Sequence, residues 1–307
     1  MASGNALVLE GGGFRGMFTA GVLDVLQENG VYDFASVWGV SAGAINAASY
    51  KSRQIGRSMR IMLAFRDDRR FMSLWSFATT GNLAGGEFMY EEIQNHLDPG
   101  DDATFNANPL RMFAVASDVV FGAPAYLECT NFPGDVPKVR ASASLPLVSN
   151  VVQIDGHRYL DGGTTDSIPF EVALGRDGET RVDGYEPAER ALVVITQDRG
   201  YQKSGLNERI TVRSHRYDGF PYYEEALTAR AGSYNAKRER LFGLEAEESS
   251  PVMVMAPSKP VEVSTNEHDG GKLLDLYLQG RAEAASRLDE VRDFLAGRSG
   301  TPRGGRA

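Results

Sequence analysis

A glycine-rich loop near the start of the chain constrains the fold more than any other feature. The apolar residues 6–9 have the length of a buried strand, and they lead directly into the sequence LEGGGFRG at residues 9–16. From residue 16, apolar positions recur at helical spacing until an Asn29-Gly30 pair that is typical of a helix C-terminus. A strand, a tight turn and a helix in this order predict the first unit of an α/β sheet.

The loop suits two kinds of anion. Gly11, Gly13 and Gly16 satisfy the G-x-G-x-x-G spacing of dinucleotide-binding proteins, whose backbone amides bind a pyrophosphate. The same amides suit the negatively charged oxygen that forms on a carbonyl during acyl transfer. Dinucleotide binding also requires an acidic residue near the end of the second strand. The second predicted strand, residues 36–40, is followed by Ser41 instead, so the sequence favours a transient oxyanion.

A second motif follows this strand. The sequence GVSAG at residues 39–43 matches G-x-S-x-G and precedes the helix-compatible run AINAA. Between a strand and a helix this pattern indicates a nucleophile elbow, a strained turn that exposes its serine at the N-terminus of the helix. Gly39 and Gly43 leave the space that such a turn needs. We therefore predict Ser41 as a catalytic nucleophile.

The glycine loop and the elbow belong to consecutive strand–helix units, so they are expected at the same edge of a parallel sheet. We predict that Gly11, Gly12 and Gly13 form an oxyanion hole over Ser41, with the backbone amides of Gly12 and Gly13 as the donors. Arg15 is expected to add positive charge beside them.

A serine nucleophile needs a base, and Asp161 is the preferred candidate. The Asp155-Gly156 pair predicts a type I′ turn between two short strands, and the second strand ends at the sequence DGG of residues 161–163. The glycines let another loop approach the carboxylate. Burial beside Ser41 is expected to raise the basicity of Asp161.

Histidine offers the alternative base, and the chain has four: His96, His157, His215 and His268. His157 starts the strand that Asp161 ends, so about 13 Å is expected to separate the two residues. His96 follows a predicted helix and is expected at the surface. His215 and His268 lie in polar loops, so a Ser-His-Asp triad through either one stays open.

Composition limits the classes of function. The formal net charge of −9 and the lack of a long Lys/Arg run argue against nucleic-acid binding. The single Cys129 excludes an intrachain disulfide, and no apolar run approaches the roughly 18 to 20 residues needed to span a bilayer. The N-terminus lacks the pattern of a secretion signal. We expect a cytoplasmic protein, with any lipid contact being peripheral.

Strand candidates alternate with helical segments along the rest of the chain; they lie at residues 111–117, 125–128, 191–196 and 252–256. This alternation predicts one continuous α/β domain. Residues 1–197 form its core, and residues 198–296 pack on it and complete the same sheet. Within the second part, residues 270–295 predict one long amphipathic helix. Residues 297–307 are rich in Gly and Arg and are predicted to be disordered.

Soft apolar side chains concentrate after the elbow helix, between residues 59 and 89. Methionine adapts to irregular acyl chains, so this segment forms a lid or an acyl channel in one interpretation and an ordinary helical subcore in the other. The charged sequence RDDRR at residues 66–70 predicts a solvated helix end rather than a headgroup site.

Three elements together resemble the patatin-like phospholipase family in their order and spacing. They are GGGFRG at residues 11–16, GVSAG at residues 39–43 and DGG at residues 161–163. The sequence ASASLP at residues 141–146 resembles a fourth block of that family. The resemblance covers about residues 6–195, and the region of residues 216–240 is similar to that of bacterial members.

The resemblance implies a three-layer α/β/α fold with a mostly parallel central sheet and a nucleophile elbow between strand and helix. It implies a Ser–Asp dyad without histidine, with Ser41 as nucleophile and Asp161 as base, and it makes the loop of residues 11–13 with Arg15 the oxyanion hole. The implied function is a lipid acyl hydrolase of phospholipase A or lysophospholipase type. Its substrate is a lipid or another acyl ester, and no cofactor or metal is expected. Two alternatives remain: an α/β-hydrolase-type esterase with a Ser-His-Asp triad, and a non-catalytic nucleotide-binding protein.

Overall fold

The computed structural model describes residues 4–83, 86–178 and 180–298. An eight-stranded sheet lies at its centre. The strands are β1 (Asn5–Leu9), β2 (Ser36–Val40), β3 (Arg111–Asp118), β4 (Ala123–Cys129), β5 (Val152–Ile154), β6 (His157–Asp161), β7 (Arg190–Val194) and β8 (Val252–Met255). Each strand predicted from the sequence is confirmed, with small differences at the ends.

Helices connect and cover these strands. They are α1 (Gly16–Glu28), α2 (Ala42–Lys51), α3 (Arg57–Phe65), α4 (Leu74–Thr80), α5 (Asp102–Ala107), α6 (Val136–Ser142), α7 (Phe170–Ala173), α8 (Leu206–Arg213), α9 (Pro221–Glu245), α10 (Gly270–Ser286) and α11 (Leu288–Leu295). A π-helix covers Phe88–Leu97, and 3₁₀ turns cover Gly13–Arg15 and Gly162–Thr164.

Both faces of the sheet are buried, as a mostly parallel sheet requires. On one face, Leu7 and Leu9 of β1 pack in a core that includes side chains of α1, α2 and α10. On the other face, Ala6 and Val8 pack in a core that includes side chains of α7 and α9. Alternate residues of one strand thus serve two cores, and the predicted three-layer α/β/α fold is confirmed.

The pairing of β3 with its neighbours brings the ends of two other strands together. Strands β8, β7, β1, β2 and β3 are parallel neighbours, and β4 runs antiparallel along one edge of β3. On the opposite edge, β2 pairs with the first part of β3 and β6 pairs antiparallel with the last part. Val40 lies opposite Val115, and Asp161 lies opposite Ala116. The ends of β2 and β6 therefore meet head to head, so the elbow adjoins the DGG turn.

The hairpin that delivers Asp161 has the turn expected from its sequence. Asp155 and Gly156 both have positive φ, at 50° and 83°, as a type I′ turn requires. Strands β5 and β6 pair on either side of this turn. The register of the hairpin therefore sets where β6 ends.

Residues beyond 198 contribute to the same sheet and to both of its faces. Strand β8 pairs with β7, and α9 and α10 lie on opposite faces. The prediction of one helix over residues 270–295 is wrong: the chain breaks into α10 and α11 at Arg287. Arg287 Nη1 donates to the carbonyl of Val254 at 2.8 Å, and the bend lets α11 bury Val291 and Leu295 in the core. Most of the predicted disordered tail, from residue 299 onwards, lies outside the described residues.

Helices α1 and α10 touch through two glycines. A Cβ atom on Gly21 would lie 2.1 Å from the carbonyl oxygen of Tyr277, and one on Gly280 would lie 2.1 Å from that of Phe18. We expect Gly280→Ala to push the helices apart and to lower the free energy of unfolding by about 1–3 kcal/mol, measured by chemical denaturation.

Gly232→Ala in α9 is the matched control, because no atom lies within 4 Å of the position of its Cβ. This substitution is expected to leave stability unchanged or to raise it by up to about 1 kcal/mol through helix propensity. Equal effects of the two substitutions would contradict the close contact of α1 with α10.

Candidate active site

Ser41 occupies a strained turn. It follows β2 directly and precedes α2, with φ 54° and ψ −122°, a conformation that a non-glycine residue rarely adopts. A Cβ on Gly43 would lie 2.4 Å from the carbonyl oxygen of Leu9, and one on Gly39 would lie 2.5 Å from Cα of Ala44. Both flanking glycines are therefore required by close backbone contacts, as a nucleophile elbow demands.

Asp161 lies at the end of β6, beside the elbow, with only 2% of its surface exposed. Its Oδ1 accepts a hydrogen bond of 2.8 Å from the amide of Gly163. Its Oδ2 is buried and accepts no hydrogen bond of ordinary geometry within the described part of the chain. A hydrogen-bonding interaction with the Ser41 hydroxyl lowers the pKa of Asp161.

Burial dominates the ionisation of Asp161. It raises the pKa of the carboxyl group, while the Ser41 hydroxyl, Arg230, the Gly163 amide and Lys203 each lower it, and the net shift is upward. A buried carboxylate beside a serine, with one oxygen that accepts no other hydrogen bond, has the properties of a general base.

The ASASLP sequence holds the serine and the aspartate together. Ser142 Oγ accepts a 2.9 Å hydrogen bond from the Ser41 amide and donates one of 2.6 Å to the Val115 carbonyl. Two residues later, the carbonyl of Ser144 accepts a 2.7 Å hydrogen bond from the Asp161 amide. This block was recognisable in the sequence only by resemblance, and in the structure it fixes the backbone on both sides of the site.

The glycine loop lies against the elbow. A Cβ on Gly11 would come within 3.0 Å of Cβ of Ser41, and one on Gly12 would come within 2.7 Å of Oγ1 of Thr196. Gly13 has φ 57°, and a Cβ there would lie 2.5 Å from the carbonyl oxygen of Thr265. A side chain at any of these three positions would therefore collide with neighbouring atoms, so the loop needs its glycines.

Glu10, which the sequence analysis left without a role, anchors this loop. It is 3% exposed, and its Oε2 accepts hydrogen bonds from the amide and the hydroxyl of Thr196, at 2.5 and 3.1 Å. Its Oε1 accepts a hydrogen bond of 2.5 Å from the Tyr234 hydroxyl in α9. A buried carboxylate with three donors ties the residue before Gly11 to the segment that follows β7 and to α9.

Arg15 is not brought into contact with Ser41. Its Nη1 donates to Oγ1 of Thr265 at 3.4 Å, and its Nε is buried without a partner in the described residues. Its charge acts on Lys203, whose pKa it helps to lower. Arg15 therefore contributes positive charge near the site rather than a hydrogen bond at the serine.

A narrow apolar pocket opens beside Ser41. Its lining includes Gly13, Phe14, Ser41, Ala42, Ile45, Met62, Phe71, Met72, Leu83, Met89, Tyr90, Ala143, Leu145 and Ser149. Ile45, Phe71, Met89 and Tyr90 also line a second apolar pocket that extends towards Phe132. The methionine-rich segment of residues 59–89 thus contributes both to the core and to the wall of the pocket beside the serine.

The histidines lie elsewhere. His157 pairs with Asp118 at 2.9 Å, His215 pairs with Asp218 at 3.3 Å, and His268 contacts the carbonyl of Arg66 at 3.1 Å. These three and His96 are exposed. Among the described residues, no histidine contacts Ser41 or Asp161.

Neither a metal site nor a membrane-spanning helix is found within residues 4–83, 86–178 and 180–298. No group of three or more His, Cys, Asp or Glu side chains is arranged to hold a metal ion. No helix in these ranges is long and apolar enough to cross a membrane.

The raised pKa of Asp161 predicts how the stability of the protein depends on pH. The folded state favours the protonated form of Asp161. The stability that this form contributes is present at low pH and is lost as the pH rises through the folded-state pKa. We therefore expect Asp161→Asn to unfold at a higher temperature than the wild type at neutral pH, by calorimetry. The difference is expected to shrink in acid, where Asp161 is protonated.

Asp218→Asn serves as the control for this experiment, because Asp218 is an exposed carboxylate. Its unfolding temperature is expected to follow the wild type. A loss of stability in Asp161→Asn that persists unchanged from neutral to acid pH would show that the carboxylate is a structural group.

Two family profiles match separate parts of the chain. The family profile for patatin-like phospholipase matches residues 7–174, and a domain of unknown function (DUF6363) matches residues 220–296. The uncharacterized protein YjjU of Escherichia coli K12 is 30% identical over 190 residues, which cover 58% of this chain and 50% of that protein. The uncharacterized NTE family protein Mb1092c of Mycobacterium bovis is 24% identical over 177 residues, covering 58% of this chain and 47% of that one.

The chain spans about half the length of the curated relatives it matches. Among solved structures, VipD from Legionella pneumophila aligns over 94% of this chain and 67% of its own, with a TM-score of 0.46 and 13% identity. The family profile alone covers more than half of the 307 residues. The chain belongs to the patatin-like phospholipase family.

Proposed function

We propose that the protein is a serine lipid acyl hydrolase that cleaves carboxylic esters of the phospholipase A or lysophospholipase type through Ser41 and Asp161. One observation carries the proposal: the head-to-head ends of β2 and β6 put a serine with a strained backbone beside a buried carboxylate. An elbow conformation costs stability, so its presence beside a base favours a catalytic role over a structural one.

The first half of the reaction forms an acyl-enzyme. Ser41 Oγ attacks the ester carbonyl carbon while its proton passes to Oδ2 of Asp161, the carboxylate oxygen without a partner. The carbonyl oxygen becomes an oxyanion, which the amides of Gly12 and Gly13 stabilise; one such donor contributes about 2.7–4 kcal/mol. The C–O bond to the alcohol then breaks, and the proton on Asp161 goes to the leaving oxygen.

The second half releases the acid. Water takes the place of the alcohol, gives a proton to Asp161 and attacks the acyl carbon, and a second oxyanion forms in the same loop. Collapse breaks the bond to Ser41 Oγ, which recovers its proton from Asp161. Ser41 is again a hydroxyl and Asp161 a carboxylate, so the enzyme is ready for another cycle.

The apolar pocket beside Ser41 supports an acyl chain as the bound group. It adjoins the serine, and Ile45, Met89 and Tyr90 line both this pocket and the second one. Flexible methionine side chains fit a disordered chain better than a rigid ligand. The acyl-channel interpretation of residues 59–89 is therefore preferred to that of a pure subcore, and lipid is reached by peripheral contact.

The two alternatives have less support. A triad needs a histidine at the serine, and His215 and His268 are exposed and have contacts elsewhere. Dinucleotide binding needs an acidic residue near the end of the second strand, whereas β2 is followed by Ser41.

Labelling with a fluorophosphonate, which reacts with activated serines, tests the dyad. The wild type is expected to be labelled and Ser41→Ala is not. Asp161→Asn is expected to slow labelling by about 10²–10⁴-fold because the base is lost. His215→Ala and His268→Ala are expected to react at the wild-type rate.

Three results would refute the dyad. Labelling that survives Ser41→Ala moves the nucleophile, and loss of labelling in either histidine variant with normal labelling of Asp161→Asn establishes a triad. An unreactive protein whose melting temperature rises with NAD supports nucleotide binding.

Filling the junction of the two pockets tests the acyl channel. We expect Met89→Trp to lower kcat/KM for a dodecanoyl ester by about tenfold or more, because the ring occupies the path past Ile45. Butyryl ester hydrolysis is expected to persist, and Met89→Leu is the volume-matched control. Equal losses on both esters would show that the channel is not used.

A further inference from the structure

One face of α9 spans the back of the proposed active site. Arg230 and Tyr234 stand four residues apart, so they share a face of the helix. The helix lies outside residues 7–174, which carry the patatin-like profile, and inside residues 220–296, a domain of unknown function. It contacts both loops of the site without lining the apolar pocket.

Arg230 holds the DGG turn. Its Nε donates a 2.6 Å hydrogen bond to the carbonyl of Gly163, whose own amide donates to Asp161. Its Nη1 pairs at 3.1 Å with Glu208 of α8, a carboxylate that is 5% exposed. The Arg230 guanidinium is thus bonded directly to Gly163, the residue whose amide binds the Asp161 carboxylate.

Tyr234 holds the glycine loop. Its hydroxyl donates to Glu10, the residue before Gly11, and receives a longer contact of 3.4 Å from Arg238 one turn further along α9. Arg238 in turn donates to the carbonyl of Asp198. The same helix face therefore fixes the loop proposed to bind the oxyanion.

Other titratable groups around Asp161 come from neighbouring elements. Lys203, in the segment before α8, lies over the Tyr234 ring with Nζ 4.7 Å from its centre, and burial lowers its pKa to about 8. Burial raises the pKa values of Tyr90 in the π-helix and Tyr223 in α9, and the charge of Asp161 adds to both shifts. Below neutral pH, Lys203 is charged and both tyrosines are neutral.

We propose that α9 is the positioning element of the site, in which Arg230 orients Asp161 through Gly163 while Tyr234 sets the glycine loop through Glu10. This inference rests on the proposed Ser–Asp hydrolase. It gives the domain of unknown function a physical task in this chain, which is to fix the separation of the base from the oxyanion donors.

The two contacts have different pH signatures. Arg230 lowers the pKa of Asp161, so removing its charge raises that pKa and moves the acidic limb of the rate profile to higher pH. Tyr234 acts on the loop through a neutral hydrogen bond, so its loss lowers the rate at every pH and leaves the limb in place.

The experiment compares pH profiles of kcat/KM on a butyryl ester for the full chain. Arg230→Met is expected to lose about tenfold or more on the acidic limb and to recover towards the wild type at alkaline pH. Arg230→Lys, which keeps the charge, is expected to restore the position of the limb. Tyr234→Phe is expected to lose activity evenly across pH.

Arg240→Met is the matched control, because Arg240 is on the same helix and pairs with Glu171 away from the site. Its profile is expected to match the wild type. Since Arg230→Met leaves the buried Glu208 unpaired, the double variant Arg230→Met/Glu208→Gln removes both charges and is expected to show the same shift of the limb.

The proposal is overturned if Arg230→Met and the double variant keep the acidic limb of the wild type, or if Arg240→Met shifts it equally. A wild type that neither hydrolyses the ester nor reacts with fluorophosphonate refutes the proposed function instead. An active wild type with unaffected Arg230 and Tyr234 variants refutes only the role of α9.

Discussion

The rest of the site depends on the way in which β2 and β6 share one edge of β3. Because β2 pairs with the first part of that edge and β6 with the last, the chain must turn sharply where the two strands meet. The turn after β2 is the strained elbow at Ser41, and the end of β6 is Asp161. A one-residue slip of β6 would point Asp161 to the other face of the sheet. Hydrogen bonds from Ser41 and Asp161 to the block of residues 141–146 hold this register.

The site combines costs that the surrounding structure offsets. Backbone strain at Ser41 and burial of Asp161 are each unfavourable on their own. The close contacts of Gly39 and Gly43 maintain the strained backbone at Ser41. The Gly163 amide and the charge of Arg230 offset part of the cost of burying Asp161. The segment after β7 is therefore part of the site's framework: β8 extends the sheet, Thr265 packs on the glycine loop, and α9 reaches both loops.

The family resemblance implied the α/β/α layers, while local patterns in the sequence were sufficient to predict the strands, the elbow and the type I′ hairpin. Each of these depends on residues close in the chain, such as the positive φ that Asp155 and Gly156 allow. Contacts between distant residues were not predictable in the same way. Nothing local tells that Glu10 binds Tyr234, 224 positions away, or that Arg230 binds Gly163. The long α9 was missed because its polar composition carries no clear apolar stripe, and the break at Arg287 depends on a carbonyl in β8.

The most direct measurement for the central claim is a crystal structure of the protein after reaction with a fluorophosphonate. Phosphorus then stands for the tetrahedral carbon and its oxygen for the oxyanion. The phosphorus is expected on Ser41 Oγ, with the phosphoryl oxygen about 2.7–3.1 Å from the amides of Gly12 and Gly13 and Asp161 beside the modified serine. An adduct on another residue, or a phosphoryl oxygen directed away from an intact glycine loop, would contradict the claim.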